Sequence, residues 1–247
     1  MDQALKQRIT KAEKTLNRDV HPDDQMNGGN LDRYFSVGED ALRKILGVMT
    51  LSGTSDPSSV LDYACGHGRV GRWLKSAFPK ADLVGADTMK RALPHYQKCM
   101  QAEVHELHTD PQKVNLERKF DLIWSGSLIT HLDETKAKKL LDCFSRHAND
   151  GGLIIFTSHG RFVASRWKEP SWPYNLSAER LKEISLQFDD GNYGYSDYGH
   201  MKGYGISMTP LPWIMEYLKT DPSLKLITLM EQGWDNHQDI IAFQKVG

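Results

Sequence analysis

Residues 60–71, Val-Leu-Asp-Tyr-Ala-Cys-Gly-His-Gly-Arg-Val-Gly, constrain the fold more than any other stretch of this chain. A short apolar run carrying one acid, Asp62, breaks into a glycine turn, and an amphipathic helix follows. Val70, Trp73, Leu74, Ala77 and Phe78 recur at the spacing of one helical face, with Arg69, Arg72 and Lys75 on the other. Such a strand–turn–helix unit is a nucleotide cradle. Glycine lets a ligand approach the backbone, and the first helical N–H groups have no partners of their own.

The unit repeats. Residues 59–64 read as strand one and residues 81–86 as strand two, which ends in Asp87. Pro94 delays the helix after it. Residues 103–108 and 120–124 read as strands three and four. Asp133 then caps a helix with Ala137, Leu140, Leu141, Phe144 and Ala148 inward, and Gly151-Gly152 launches strand five over 153–157. Alternation of this kind predicts a parallel sheet with helices on both faces. Residues 224–230 and 239–244 are strand-like and joined by Gly233-Trp234-Asp235-Asn236, a turn too short for a parallel crossover, so they are expected to pair antiparallel.

The flanking segments differ. Leu5, Ile9 and Leu16 are too sparse for a core helix over residues 2–18, and residues 21–30 read as a loop. Ser36-Val37-Gly38-Glu39 spells a capping box, ahead of an apolar face of Ala41, Leu42, Ile45, Leu46 and Met49. After strand five comes an insert dense in aromatics: Trp167, Trp172, Tyr174, Tyr193, Tyr195, Tyr198, Tyr204 and Trp213. The expected division is an N-terminal helical extension over 1–58, a core over 59–160, an insert or cap over 161–222 and a terminal hairpin over 223–247, all one domain.

Composition narrows the function classes. A net charge of −1 over 247 residues gives no drive toward nucleic acid or an anionic membrane, and no apolar run approaches bilayer length. Cys65, Cys99 and Cys143 have a spacing that suits no zinc site, so no metal is expected. The N-terminus has no apolar signal core, and a reduced, cytoplasmic protein is the expectation.

Three readings of the glycine turn compete. Tight packing without a ligand leaves Asp62 and Asp87 without a purpose. A dinucleotide site fits Gly66-His67-Gly68-Arg69-Val70-Gly71, which matches G-x-G-x-x-G, with Asp87 placed to bind a ribose. The negative Asp62, however, would repel a pyrophosphate. S-adenosylmethionine has no phosphate and carries an ammonium group, so a carboxylate beside the turn assists its binding, and Asp87 can accept from both ribose hydroxyls. Charge therefore favours the third reading.

Asp62-Tyr63-Ala64-Cys65-Gly66-His67-Gly68 resembles the first motif of class I S-adenosylmethionine-dependent methyltransferases, usually D-x-G-C-G-x-G. Leu83-Val84-Gly85-Ala86-Asp87 resembles their second strand and its ribose-binding acid. Residues 120–124 with 128–132 resemble the fourth strand and the helix after it, and residues 151–156 resemble the fifth. Ala64 departs from the common glycine. The resemblance implies an α/β, Rossmann-like three-layer sandwich, with a seven-stranded, mostly parallel sheet ordered 3-2-1-4-5-7-6 and strand 7 antiparallel. It also implies a cofactor site at Asp62, Ala64, Gly66, Gly68 and Asp87, with Ser125 beside it and Thr109 and Asp110 near the adenine.

Methyl transfer to oxygen needs in-line positioning and often a base. His131 after strand four and His159 after strand five are the expected catalytic histidines; His200 and His237 are more remote choices. Tyr34, Arg161, Tyr195, Tyr198 and His200 are the expected acceptor contacts. An Asn/Asp-Pro-Pro-Tyr tetrapeptide after strand four is absent; Ser125-Gly126-Ser127-Leu128 stands there. The expected acceptor is accordingly a hydroxyl or carboxyl of a small molecule or glycan precursor. The competing functions are an NAD-dependent oxidoreductase and a methyltransferase-like binding protein without catalysis.

Overall fold

The computed structural model describes residues 3–167, 174–199 and 201–247; Trp172 and His200 lie outside them. Its elements, in chain order, are α1 (Gln3–Lys14), α2 (Leu31–Ser52), β1 (Ser59–Tyr63), α3 (Gly71–Ala77), β2 (Asp82–Asp87), α4 (Leu93–Met100), β3 (Glu103–Glu106), β4 (Phe120–Ser125) and α5 (Glu134–His147). Then follow β5 (Ala148–Ser158), α6 (Arg161–Arg166), α7 (Ala178–Asp189), β6 (Gly194–Tyr198), β7 (Met201–Met208), α8 (Leu211–Thr220), β8 (Leu224–Trp234) and β9 (Gln238–Lys245).

Seven strands form one sheet in the order β3-β2-β1-β4-β5-β9-β8. The first five are parallel, and β9 runs antiparallel to both β5 and β8. With β6 and β7 set apart as a two-stranded sheet in the insert, this is the expected 3-2-1-4-5-7-6 order. Successive residues alternate between two cores. Val60, Leu122 and Leu153 face α1 to α4, whereas Leu61, Ile123 and Ile154 face α5 and α8. A third cluster, with Val163, Ile184, Ile206 and Met208, belongs to the insert.

Three local expectations need correction. Ser36 does not cap a helix: α2 starts five residues earlier, where the Asn30 side chain accepts from the Arg33 N–H, and the Ser36 hydroxyl donates back to the Arg33 carbonyl. A stronger cap upstream overrode the box. α1 does reach the core, through Ile9 and Ala12. Arg72, assigned to the polar side of α3, is only 1% exposed. Its guanidinium donates to the carbonyls of Gly68 (2.9 Å), Asn17 (2.9 Å) and Asp19 (3.0 Å), and more loosely to Tyr34 Oη (3.3 Å) and the His67 carbonyl (3.4 Å). Apolar spacing alone cannot show that backbone carbonyls from a distant segment will saturate a buried fork of donors.

Candidate functional site

The site begins where β1 runs out. Ala64 takes a left-handed φ of 62°, and Gly68 follows at φ +91°. A methyl group on Gly68 would lie 2.8 Å from Met100 Cε. Asp87, at the end of β2, shapes the turn: its two carboxylate oxygens accept the N–H groups of Gly66 and Met89, each at 2.7 Å. One lone pair on each oxygen remains for a further donor.

Asp62 is 2% exposed, and Tyr96 Oη donates to it at 3.1 Å. Burial pushes its carboxyl up to about 7; the Asp87 charge adds to this, and the Tyr96 and Gly71 hydrogen bonds oppose it. Among the described residues no cationic side chain pairs with it. Tyr96 itself lies in a slot made by two glycines, since a Cβ on Gly71 or Gly85 would come within 2.4 Å of its ring or hydroxyl.

A cavity of about 150 Å³ opens above the turn, walled by Asp62, Ala64, Gly66, His67, Arg69, Trp124, Ser127 and Trp234, and roofed by residues 23–26. Asp24 anchors that roof, accepting from Tyr34 Oη (2.7 Å) and the Met26 N–H (3.0 Å). A second cavity of about 200 Å³ shares Met26, Arg69, Ser127 and Trp234 with the first and continues to His237 and Gln238. Together they form one bent cleft. Arg69 stacks over the Trp234 ring at 5.3 Å, and burial lowers its pKa. Trp234 is fixed in turn, its Nε1 donating to the Val37 carbonyl at 2.9 Å.

Of the expected cofactor residues, Asp62, Ala64 and Gly66 line the cleft, while Gly68 and Asp87 support its floor. Ser125 is 2% exposed, and its Oγ has no hydrogen-bond partner. Thr109 and Asp110 are not brought to the cleft: Thr109 is exposed, and Asp110 pairs with Lys139 of α5 at 3.3 Å and accepts from the Gln112 N–H. Among the acceptor residues, Tyr34 is buried against Asp24 and Arg72, so its place is beneath the roof. Arg161 forms a two-point pair with Glu231 (2.5 and 2.6 Å) and borders a separate cleft of about 790 Å³. Tyr195 Oη donates to Asp197 at 2.5 Å. Tyr198 Oη lies 3.3 Å from His131 Nδ1.

The two expected catalytic histidines share a device that their sequence positions do not reveal. His131 Nδ1 is 2.9 Å from the Gly205 carbonyl and His159 Nδ1 is 3.1 Å from the Ser207 carbonyl, two residues apart on β7. Each Nδ1 must therefore carry the proton, which leaves Nε2 as the basic nitrogen. Burial lowers the pKa of His131 and drives His159 down to about 3, so both are neutral near pH 7. Neither lines the cleft; His237 does, with the His159 ring behind it at 5.7 Å between centroids. Sequence reasoning missed Arg69, Trp234 and the prominence of His237. The turn at 233–236 read as a hairpin joint, and only the folded position of the β8–β9 hairpin, with the Trp234 ring 5.5 Å from that of Trp124 on β4, brings it over the glycine turn.

Parts of the chain, and its fold, are similar to known proteins. A methyltransferase domain family model matches residues 60–152. The malonyl-acyl-carrier protein O-methyltransferase of Anoxybacillus flavithermus is 27% identical over 128 residues, 51% of this chain and 48% of that protein, so the match spans about half of each. Streptomyces venezuelae DesVI superposes with a TM-score of 0.61 at 17% identity, over 93% of this chain and all (100%) of that one. An S-adenosylmethionine-dependent methyltransferase from Clostridium acetobutylicum gives 0.59 at 16% identity, over 91% and 96%. The 1,6-didemethyltoxoflavin-N1-methyltransferase of Burkholderia thailandensis gives 0.58 at 11%, over 100% and 92%. At these identities the structural likeness speaks for the fold. The family model adds the strand–turn–helix unit, β2 to β4 and the start of β5, so residues 60–152 are similar to a methyltransferase domain and the chain has the fold of S-adenosylmethionine-dependent methyltransferases.

Proposed function

We propose that this chain is an S-adenosylmethionine-dependent methyltransferase acting on an oxygen of a small acceptor. The observation that carries the reading is Asp62, a buried carboxylate without a cationic partner among the described residues, set in the wall of a cleft beside a glycine turn. A buried acid of this kind is costly unless something positive joins it. An ammonium group would do so, and a pyrophosphate would not. Asp62 is assigned to the ammonium of the cofactor's amino acid moiety, Arg69 to its carboxylate, and Asp87 with its spare lone pairs to the ribose hydroxyls. Ser125 Oγ, buried and unpartnered, offers a further polar contact. When bound, the sulfonium supplies an electrophilic methyl group with an excellent leaving group.

What remains for the protein is alignment and exclusion of water. The roof at residues 23–26 and the Trp234 ring close the cleft on two sides. The acceptor is assigned to the cavity walled by Ser127, Trp234, His237 and Gln238. His237, whose pKa is lowered by burial, is neutral near pH 7, and its Nε2 lies 3.1 Å from Tyr174 Oη beside that cavity. Oxygen as the target is supported by the Ser125–Leu128 sequence where amino methylation has its tetrapeptide, and by the O-methyltransferase relative.

Titration calorimetry with S-adenosylhomocysteine and with NAD separates the alternatives. Micromolar binding of the first and none of the second is expected. Binding of NAD would move the chain to the oxidoreductases, and binding of neither would leave a fold that serves only as an interaction module. A metabolite screen for the gain of one methyl group then identifies the acceptor.

A further inference from the structure

Away from the transfer cleft, the segment between α1 and α2 crosses α4 and gathers a set of metal-ligand side chains there. His95 and Cys99 lie one turn apart on α4, and Asp19 meets them from the crossing segment. Cys99 Sγ is 3.4 Å from His95 Nε2 and 3.6 Å from Asp19 Oδ2. One ligand atom from each of the three lies within 4.8 Å of the others. Zinc–sulfur bonds of about 2.3 Å and zinc–nitrogen bonds of about 2.0 Å at the tetrahedral angle place such atoms roughly 3.5 Å apart. The protein thus already holds two edges of a zinc tetrahedron.

The surroundings point the same way. His21 lies 5.1 Å from the His95 ring and stacks on His67 at 4.9 Å, so three imidazoles converge on one spot. His67 is 5% exposed, and its Nε2 has no hydrogen-bond partner. His95 also hydrogen-bonds the main chain of Asp19, the outer contact that usually orients a metal-bound imidazole. Against the cluster stands Lys98, whose Nζ is 3.8 Å from Asp19 Oδ2 on an exposed and mobile-stemmed side chain.

We propose that Asp19, His95 and Cys99 bind one Zn²⁺, with His21 or water completing the tetrahedron. The mixed thiolate, imidazole and carboxylate donors suit zinc rather than calcium or magnesium. Binding replaces the thiol S–H bond by a Zn–S bond and releases that proton to solvent. The expectation of no metal considered the cysteines only against one another; this site joins one cysteine to a histidine four positions away and an aspartate 80 positions away. Its consequence is mechanical. Asp19 and His21 immediately precede the roof residues 23–26, so the ion clips the roof segment to α4.

The site is independent of the methyltransferase reading and is tested without activity. The full chain, stripped with chelator, is titrated with Co²⁺ and Zn²⁺. One equivalent of Co²⁺ with a thiolate-to-cobalt charge-transfer band is expected, displaced by Zn²⁺ and lost in Cys99→Ser. Asp19→Asn, at an exposed residue with little bearing on folding, should weaken Zn²⁺ by about tenfold or more. Zn²⁺ should also slow tryptic cleavage after Arg18, an exposed site beside Asp19. Absence of the charge-transfer band, the same affinity in Asp19→Asn, or unchanged cleavage would overturn the proposal.

Discussion

The glycine turn and the aromatic insert rise from the same edge of the sheet, yet they are held by opposite means. The turn is held by local backbone geometry: positive φ at Ala64 and Gly68, an acid 21 positions on that accepts the Gly66 N–H, and glycines that admit Tyr96. The insert is held by side chains that reach backbone far along the chain. Tyr193 Oη donates to the carbonyls of Ile129 and Leu132, and β7 orients His131 and His159 through its own carbonyls. A backbone-built site depends on residue types at fixed offsets, whereas a side-chain-built one depends on contacts that only the finished fold brings together.

Four substitutions sharpen the contrast, the first three in the turn or the two strands that carry it. Asp62→Asn should weaken S-adenosylhomocysteine by about 100-fold, roughly 2.7 kcal/mol, read by calorimetry. It also has a pH signature. With a folded pKa of about 7 against an ordinary 3.8, Asp62 makes the folded protein bind more protons than the unfolded chain between those values. The stability this contributes is full below about pH 4 and is lost as pH rises to about 7. Melting curves of wild type and Asp62→Asn should therefore coincide near pH 4, with the variant the more stable by about pH 8. The reverse order would mean that Asp62 has a cationic partner.

Gly85→Ala should destabilise by about 2 kcal/mol in denaturant titrations, because its methyl would lie 2.4 Å from the buried Tyr96 ring. Ala64→Gly should act oppositely, raising stability by up to about 1 kcal/mol by relieving a methyl group held at φ 62°. The smallest effect is expected in the insert: Arg161→Ala, which severs an exposed ion pair, should leave S-adenosylhomocysteine affinity within about twofold. A large loss there would show that the insert, too, builds the cofactor site.

Legibility follows the same division. The strands, Asp62 within the first of them and the acid closing β2 were readable, because alternation and turn chemistry leave periodic and positional traces, whereas the strand order followed only from the resemblance to methyltransferases. Arg72 was misplaced, since its ligands are carbonyls, which no sequence pattern advertises. Ser36 misled because capping boxes also occur by chance inside helices. Trp234 and His237 escaped because their role depends on where the C-terminal hairpin lands. The adenine contacts expected at Thr109 and Asp110 rested on the weakest strand, and the structure turns Asp110 toward Lys139.

The bond from Trp234 Nε1 to the Val37 carbonyl spans 197 positions. Trp234 walls both halves of the cleft, so the cleft has no complete wall until the last hairpin has been made and has folded back onto α2. At ribosomal speeds of about 5–20 residues per second, the glycine turn waits roughly 10–40 s for its final wall. During that interval a nascent chain presents Asp62 and the turn without the indole that closes them.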